Sequence, residues 1–255
     1  MERNQEQYPY FRRELERSRK KLLGELAGAD SVAFITGSGN TGDKLIFAGT
    51  RALLSGMKVR EFRRDRLPKS AGAVAAITGS GGWCRSYHSW PAYLPEIEAR
   101  FDKVVVLPSS FDLSEPSVFR ALRKTRAKVY ARERVSYAQI RDWCDADLAF
   151  DCAFFFPFAP YRTRGKGTLH AYRTDHDALG HAVPESNVDV SAVIRDLDEW
   201  LRYIARFERV KTDRAHVMIA AAMLGKQVEY RATSYHKVPA IAEYSLREFP
   251  VRREV

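Results

Sequence analysis

Short apolar runs alternate with glycine-rich loops and helical stretches through most of this 255-residue chain. In the first 156 residues the apolar runs are SVAFIT, AVAAIT, KVVVLPSS, AKVYA and DLAFDCAFFF. Between them lie stretches with apolar residues at helical spacing, such as KLIFAGTRALL and RERVSYAQIRDWC. This alternation is typical of βαβ units, in which helices cover both faces of a parallel sheet. It predicts an α/β fold.

A stretch with two prolines, two glycines and three cations, PFAPYRTRGKG at 157–167, interrupts the alternation. A shorter series follows, with TLHAYR, RVKT and QVEYRA as expected strands and SAVIRDLDEWLRYIARF and VPAIAEYSL as expected helices. The sequence therefore predicts two unequal Rossmann-like domains, residues 1–156 and 168–255, with 157–167 as the linker. We expect the last helix to pack back toward the first domain.

One expected helix is apolar on every face, yet it begins with charge. The run VMIAAAML should be buried, whereas Lys211, Asp213, Arg214 and His216 crowd its start. Ligands of parallel sheets bind beyond the strand ends, and a first helical turn offers free N–H groups to anions. Arg214 could bind a carboxylate or phosphate, and His216 could donate a proton near neutral pH. Alternatively, Arg214 pairs with a surface acid and His216 is a satisfied, half-buried imidazole.

The charge balance narrows the class of partner. Lysine and arginine number 42 against 32 acidic residues, which gives a net charge of +10. Such a surface favours phosphorylated small molecules, an anionic membrane surface or nucleic acid. No aromatic-interleaved basic tract is present, and this disfavours nucleic acid. The sequence carries no indication of the oligomeric state.

The sequence favours a cytoplasmic protein without metal or cofactor. The apolar runs are too short to cross a bilayer, and the polar N-terminus lacks the apolar region of a signal peptide. The cysteines form no CxxC pair, so we expect free thiols in a reducing compartment. The glycines of GSGNTGD lack GxGxxG spacing, which disfavours a dinucleotide. Three histidines of the second half lack metal-ligand spacing. They are His170, His176 and His181.

Several motifs occur along the chain in a characteristic order. The first part carries GSGNTGDKLI, ITGSGGW, VVVLPSSF and ARERVSY; the second carries LHAYRTD and TDRAHVMIAAAMLGKQV, followed by YHKVPAIAEYSL. With these motifs the chain resembles the polysaccharide pyruvyl transferase family from about Ser31 to Leu246. The resemblance implies a glycosyltransferase-B-like fold. It also implies transfer of a pyruvyl ketal from phosphoenolpyruvate to a sugar or lipid-linked saccharide acceptor, with release of phosphate.

The resemblance also implies roles for individual residues. Arg214 and His216 match the ends of the family's Arg-Leu-His motif, in which Ala215 replaces the leucine. Arg132 matches the arginine of an Arg-Glu-x-x-Ser stretch, and Lys237 matches a late lysine. The three cations would bind phosphoenolpyruvate, and His216 would act as the general acid. The second domain is short for the family.

Five further candidates come from the loops and strand ends. Asp43 could orient or deprotonate an acceptor hydroxyl, or it could cap the following helix. Asn40 and Gly42 would shape the loop before that helix. Trp83 follows a glycine loop and could stack on a sugar. Arg173 follows an expected strand end and could bind phosphate.

Two other functions fit the same pattern. A nucleotide-sugar glycosyltransferase of the same fold is one, since fold does not determine chemistry. A non-catalytic anion-binding protein of a polysaccharide pathway is the other. Binding of a sugar nucleotide without phosphate release from phosphoenolpyruvate would favour the first, and absence of turnover with any acceptor would favour the second.

Overall fold

The computed structural model describes residues 7–68, 73–175, 178 and 182–254, and it contains two parallel β-sheets with helices between their strands. The predicted α/β class is confirmed. The strands are β1 (Val32–Thr36), β2 (Val59–Arg63), β3 (Val74–Ile77), β4 (Lys103–Ser109), β5 (Lys128–Ala131), β6 (Ala146–Leu148), β7 (Thr168–Ala171), β8 (Arg209–Thr212), β9 (Gln227–Tyr230) and β10 (Val251–Arg253). The helices are α1 (Pro9–Leu26), α2 (Thr41–Leu53), α3 (Leu94–Arg100), α4 (Pro116–Leu122), α5 (Arg134–Ile140), α6 (Val190–Val193), α7 (Leu197–Ala205), α8 (Ala215–Met223) and α9 (Lys237–Ser245).

The contacts within the chain define two compact units. The six-stranded unit contains Arg17–Ser38 and Ile46–Phe156. The four-stranded unit contains Met1–Glu16, Gly39–Leu45 and Pro157–Val255, so the first turn of α2 belongs to it. The two-domain, glycosyltransferase-B-like arrangement stays a prediction, as do the boundaries at 157–167 and the packing of the last helix against the first domain.

The six-stranded unit has the strand order β2-β1-β3-β4-β5-β6, and every neighbouring pair is parallel. The order reverses between β1 and β3, which makes their carboxyl ends the expected ligand-binding edge of this sheet. The pairing register sets Ile35 beside Ile77 and Ile77 beside Val106, and all three are fully buried. The apolar runs of the sequence thus form the inner strands.

Two parts of this unit differ from the sequence-based expectation. The edge strand β2, VREFR, has mostly exposed side chains and therefore lacks an apolar run. In DLAFDCAFFF only the beginning belongs to β6, and Cys152–Phe155 forms a 3₁₀ turn. Asp151 starts this turn, because its Oδ1 accepts a hydrogen bond from the Ala153 N–H at 2.8 Å.

The four-stranded unit has the strand order β10-β9-β8-β7, again with parallel pairs. The expected helix over SAVIRDLDEWLRYIARF is divided into α6 and α7. Asp196 caps α7, since its Oδ1 accepts from the Glu199 N–H at 2.9 Å, and this cap separates the two helices. The short strand β10 had no counterpart in the sequence-based assignment.

Helix α8 is buried along most of its length, as its apolar sequence predicts. It follows β8 after a two-residue connection and ends in a Schellman motif. Gly225 adopts a φ of 78°, donates to the Ala222 carbonyl at 3.0 Å, and is followed by Lys226, which donates to the Ala221 carbonyl at 2.9 Å. No helix within the described residues is long and apolar enough to cross a membrane.

Candidate functional site

The carboxyl ends of β7 and β8 bring Arg173 and Arg214 to the same edge of the four-stranded sheet. The two strands pair in parallel, with Ala171 opposite Thr212. The Thr212 hydroxyl donates to the Ala171 carbonyl at 2.8 Å and accepts from the Arg214 N–H at 3.0 Å. Asp213 accepts from the Arg173 N–H at 2.8 Å. These bonds fix the backbone from which both arginine side chains emerge.

Both guanidinium groups bind carboxylates. Arg214 donates from Nε to Asp189 Oδ1 at 2.5 Å, from Nη2 to Asp189 Oδ2, and from Nη2 to Asp175 Oδ2 at 3.0 Å. Arg173 donates to Asp175 from Nε at 2.6 Å and from Nη2 at 3.1 Å. Asp175 therefore bridges the two arginines. The sequence left two interpretations of Arg214, binding of a ligand anion or pairing with a surface acid. In this structure Arg214 pairs with acids, and one of them, Asp189, is buried.

The charges in this cluster shift the pKa values of its members. Burial alone would raise the pKa of Asp175, but the hydrogen bonds and charges of Arg173 and Arg214 outweigh it and hold that pKa well below its usual range. Burial raises the pKa of Asp213 despite its bond to the Arg173 backbone. Burial opposes the charge on Arg214, yet the hydrogen bonds to Asp189 leave its pKa raised. Asp175 is thus ionised and Arg214 protonated at neutral pH.

His216 lies in the first turn of α8 and packs against the first turn of α2. A β-carbon built on Gly42 would lie 3.0 Å from the His216 Cβ and 3.1 Å from its Nδ1. His216 is half-buried, and both residues belong to the four-stranded unit. The glycine-rich loop that opens α2 and the charged segment that opens α8 are distant in sequence. In the fold they meet at this point.

Asn40 and Asp43 form a reciprocal capping box at the start of α2. Asn40 Oδ1 accepts from the Gly42 N–H at 2.8 Å, and Asp43 Oδ2 accepts from the Asn40 N–H at 2.9 Å. The Thr41 hydroxyl donates to the Ile194 carbonyl at 2.5 Å, which joins this turn to the connection between α6 and α7. Asp43 thus has the capping role; a role with the acceptor hydroxyl stays a prediction.

Lys237 is the first residue of α9, which follows the strand adjacent to β8. Its side chain is largely buried, and its ammonium lies 4.7 Å from the centre of the Tyr235 ring. This distance is typical of a cation–π contact. Binding of phosphoenolpyruvate by Lys237 stays a prediction.

Arg132 and Trp83 belong to the six-stranded unit, and both side chains are fully buried. Arg132 follows β5 and donates to Asp151 Oδ2 and to the Ser110 hydroxyl, each at 2.8 Å. Trp83 packs beside Phe111, with 5.7 Å between ring centres. Contact of either side chain with a ligand would require a change from this arrangement.

The remaining residues of the Arg-Glu-x-x-Ser stretch have a structural role. Glu133 caps α5, because its Oε2 accepts from the Ser136 N–H at 2.9 Å. The Ser136 hydroxyl in turn accepts from the Phe111 N–H at 2.7 Å. The stretch therefore connects the ends of β4 and β5.

Among the residues that the structure describes, no group of three or more histidine, cysteine or acidic side chains is placed to hold a metal ion. His170 lies with Nδ1 at 3.1 Å from the Ser186 hydroxyl. His176 and His181 lie outside the described residues. The absence of a metal stays a prediction.

The sequence-based candidates omitted Asp175 and Asp189. Asp175 lies within the LHAYRTD motif, two residues after Arg173. This short spacing could have indicated that the two side chains pair. Asp189 precedes Arg214 by 25 residues and pairs with it only through the fold. No local pattern indicates that contact.

Two parallel sheets with helices between their strands place the protein in the α/β class, in which ligands commonly bind beyond the carboxyl ends of the strands. The chain belongs to the polysaccharide pyruvyl transferase family, whose family model matches residues 4–228. This confirms the resemblance and implies a transferase that acts on polysaccharides. The match contains the candidates from Asn40 to His216 and ends before Lys237.

The fold is similar to that of a functionally uncharacterised protein from Klebsiella pneumoniae subsp. pneumoniae NTUH-K2044. The TM-score is 0.78 at 21% sequence identity, and the similarity covers 94% of this chain and 98% of the other. At this identity the comparison supports the fold alone. No curated protein matches the chain.

Proposed function

We propose that the protein transfers a pyruvyl group from phosphoenolpyruvate to two hydroxyls of a sugar in a polysaccharide or glycoconjugate precursor, forming a ketal and releasing phosphate. The observation that carries the proposal is the contact of His216 with Gly42. It joins the Arg-x-His segment at the start of α8 to the Gly-Asn-x-Gly-Asp loop. Both segments match motifs of the family.

The reaction needs one proton at the methylene carbon of phosphoenolpyruvate. In the proposal His216 donates this proton, and the resulting positive charge at C2 is attacked by a first acceptor hydroxyl. The phosphate then leaves and a second hydroxyl closes the ketal. Of the two hydroxyl protons released, one restores His216 and the other leaves with the phosphate.

The negative charges of the substrate call for cations near the reacting carbon. Arg214 and Lys237 follow the adjacent strands β8 and β9 in the four-stranded unit. They are the proposed donor-binding residues of this unit. Positive groups of this kind would also stabilise the departing phosphate.

The activity test is release of phosphate from phosphoenolpyruvate in the presence of a panel of sugars and lipid-linked saccharides. Release that depends on one acceptor, with a mass increase of the acceptor that matches the ketal, is the expected result. Binding of a nucleotide sugar without such release would support the glycosyltransferase alternative. No turnover with any acceptor, although anions bind, would support the non-catalytic alternative.

Binding of the donor can be measured separately. Calorimetry with phosphoenolpyruvate and a chelator should show binding, because the proposed site uses cationic side chains. Lys237→Ala should weaken that binding. Arg202→Ala is the matched control, since Arg202 is exposed on α7 and pairs with Asp198 at 2.7 Å. Equal affinity of wild type and Lys237→Ala would remove Lys237 from the site.

A further inference from the structure

The carboxylate of Asp175 accepts hydrogen bonds from three N–H donors on two arginines. Nε and Nη2 of Arg173 form a fork on its two oxygens at 2.6 and 3.1 Å. Nη2 of Arg214 reaches Oδ2 at 3.0 Å. Such a fork fits an anion that presents two oxygens, which is a carboxylate here. The two arginines follow neighbouring parallel strands, at the edge where ligands of such sheets bind.

Asp175 and Asp189 differ in how firmly the fold holds them. Asp189 is buried, binds Arg214 through both oxygens and also accepts from the Thr174 N–H at 2.9 Å. The side chain of Asp175 is 33% exposed. Asp189 therefore orients Arg214 from the interior. Asp175 binds both guanidinium groups, and its side chain is accessible to solvent.

We propose that Arg173 and Arg214 form a carboxylate subsite, which Asp175 fills in the free protein and the carboxylate of the donor fills during the reaction. The inference rests on the proposed function, since it assigns the carboxylate of phosphoenolpyruvate rather than its phosphate to these arginines. A ligand carboxylate in this position would receive the same three hydrogen bonds and carry the same charge. The exchange therefore leaves no buried guanidinium without a counter-charge.

The chemistry of ketal transfer favours this orientation. The phosphate must leave, whereas the carboxylate stays on the pyruvyl group from donor to product. An anchor on the carboxylate therefore holds the reacting carbon through every step, which an anchor on the phosphate cannot do. His216 follows Arg214 by two residues, so the same turn would carry the anchor and the proton donor.

If Asp175 competes with the ligand, removal of its charge should raise affinity. A competitor that fills a site most of the time lowers the apparent affinity by the fraction of time for which the site is open. We therefore expect Asp175→Asn and Asp175→Ala to bind both phosphoenolpyruvate and pyruvate about tenfold more tightly than the wild type. Inorganic phosphate should bind no more tightly. Calorimetry with these three anions measures the effect.

Asp198→Asn is the matched control, because Asp198 forms a comparable pair with Arg202 at 2.7 Å on the exposed side of α7. Its affinities should equal those of the wild type. Thermal unfolding of each variant establishes that it is folded. If only one Asp175 variant folds, its affinities decide the question.

Weaker pyruvate binding in the Asp175 variants would overturn the inference, because Asp175 would then position the arginines instead of competing. Unchanged pyruvate binding would overturn it as well. Tighter binding of phosphate without tighter binding of pyruvate would assign the subsite to phosphate. The proposed function can be wrong while the subsite is right. Tighter pyruvate binding without transfer to any acceptor would support the carboxylate subsite and contradict the proposed reaction.

Discussion

The ring of His216 lies so close to Gly42 that a β-carbon at position 42 would come within 3.0 Å of the His216 Cβ and 3.1 Å of its Nδ1. Few real β-carbons approach another atom this closely, so His216 and the Asn40 amide, whose Oδ1 would also lie 3.0 Å away, would have to move by a few tenths of an ångström. Gly42 therefore leaves room for His216 at this position.

Gly42→Ala should lower turnover by about ten- to a hundredfold, because a small displacement of the proton donor is costly in a transition state that needs exact geometry. Its free energy of unfolding should change by less than about 1 kcal/mol, since better helix propensity offsets the crowding. Steady-state kinetics and urea unfolding measure the two effects. Gly24→Ala is the control, because nothing lies within 4 Å of a β-carbon there. Equal loss of activity in both variants would contradict this role.

The general-acid role of His216 predicts slow variants that still bind the donor. His216→Ala and His216→Gln should each lower turnover by roughly a hundred- to ten-thousandfold, the usual contribution of a positioned acid. Affinity for phosphoenolpyruvate should change much less. Wild-type turnover by His216→Gln, which keeps a hydrogen-bonding side chain, would exclude proton donation. Unfolding of His216→Ala would instead indicate a packing role.

Asp43 can be tested for a role beyond its cap. Asp43→Ala should lower the free energy of unfolding by about 1 kcal/mol, because the Asn40 N–H loses its acceptor. Asp43→Asn can keep that bond through its amide oxygen and should unfold like the wild type. If Asp43 only caps α2, the asparagine variant should also turn over normally. A folded Asp43→Asn protein with turnover reduced at least about tenfold would indicate that Asp43 orients or deprotonates an acceptor hydroxyl.

The buried pair of Arg132 and Asp151 predicts a large loss of stability. Arg132→Met leaves the Asp151 carboxylate buried without its cation, which should cost about 3–5 kcal/mol in urea unfolding. The double variant Arg132→Met with Asp151→Leu should recover much of that loss. Calorimetry on this double variant then separates the roles: unchanged affinity for phosphoenolpyruvate would make Arg132 a structural residue, and a large loss would support contact with the ligand.

The three cysteines are free thiols, and two of them have pKa values raised by burial. Burial raises the pKa of Cys144 to about 11, and it also raises that of fully buried Cys152. A raised thiol pKa lowers the thiolate fraction, to about one in a thousand at pH 8 for a pKa near 11. Alkylation of the native protein at pH 8 should therefore be slow at both sites. Titration after unfolding without reductant should find three thiols, and a lower count would indicate a bridge.

The inner strands and the buried helix were predictable because burial on every side leaves an apolar run in the sequence. β1, β3 and β4 are of this kind, and so is α8. The edge strands β2 and β10 were not predicted, because most of their side chains are exposed and exposed positions carry no such pattern. The division between α6 and α7 depends on one cap at Asp196, which the periodicity of the surrounding residues obscured.

The candidate site was predictable in its residue types and only in part in its contacts. The sequence indicated Arg214 and His216 from a charged helix start after a strand. It indicated neither the two carboxylates on Arg214 nor the packing of His216 on Gly42, because these contacts join segments that are 25 or more residues apart. Long-range pairs of this kind leave no periodic signal.

The four-stranded unit is assembled from three separate stretches of chain, one of which supplies only Gly39–Leu45. That stretch is bound where it lies, since the Thr41 hydroxyl and the Lys44 ammonium donate to the carbonyls of Ile194 and Arg195. The N-terminal stretch is bound too, because the Phe11 N–H donates to Glu248 at 2.9 Å. A gene fragment that begins at Pro157 would therefore lack part of this unit. The four-stranded unit therefore cannot be produced alone, or exchanged between relatives, as one continuous segment of the chain.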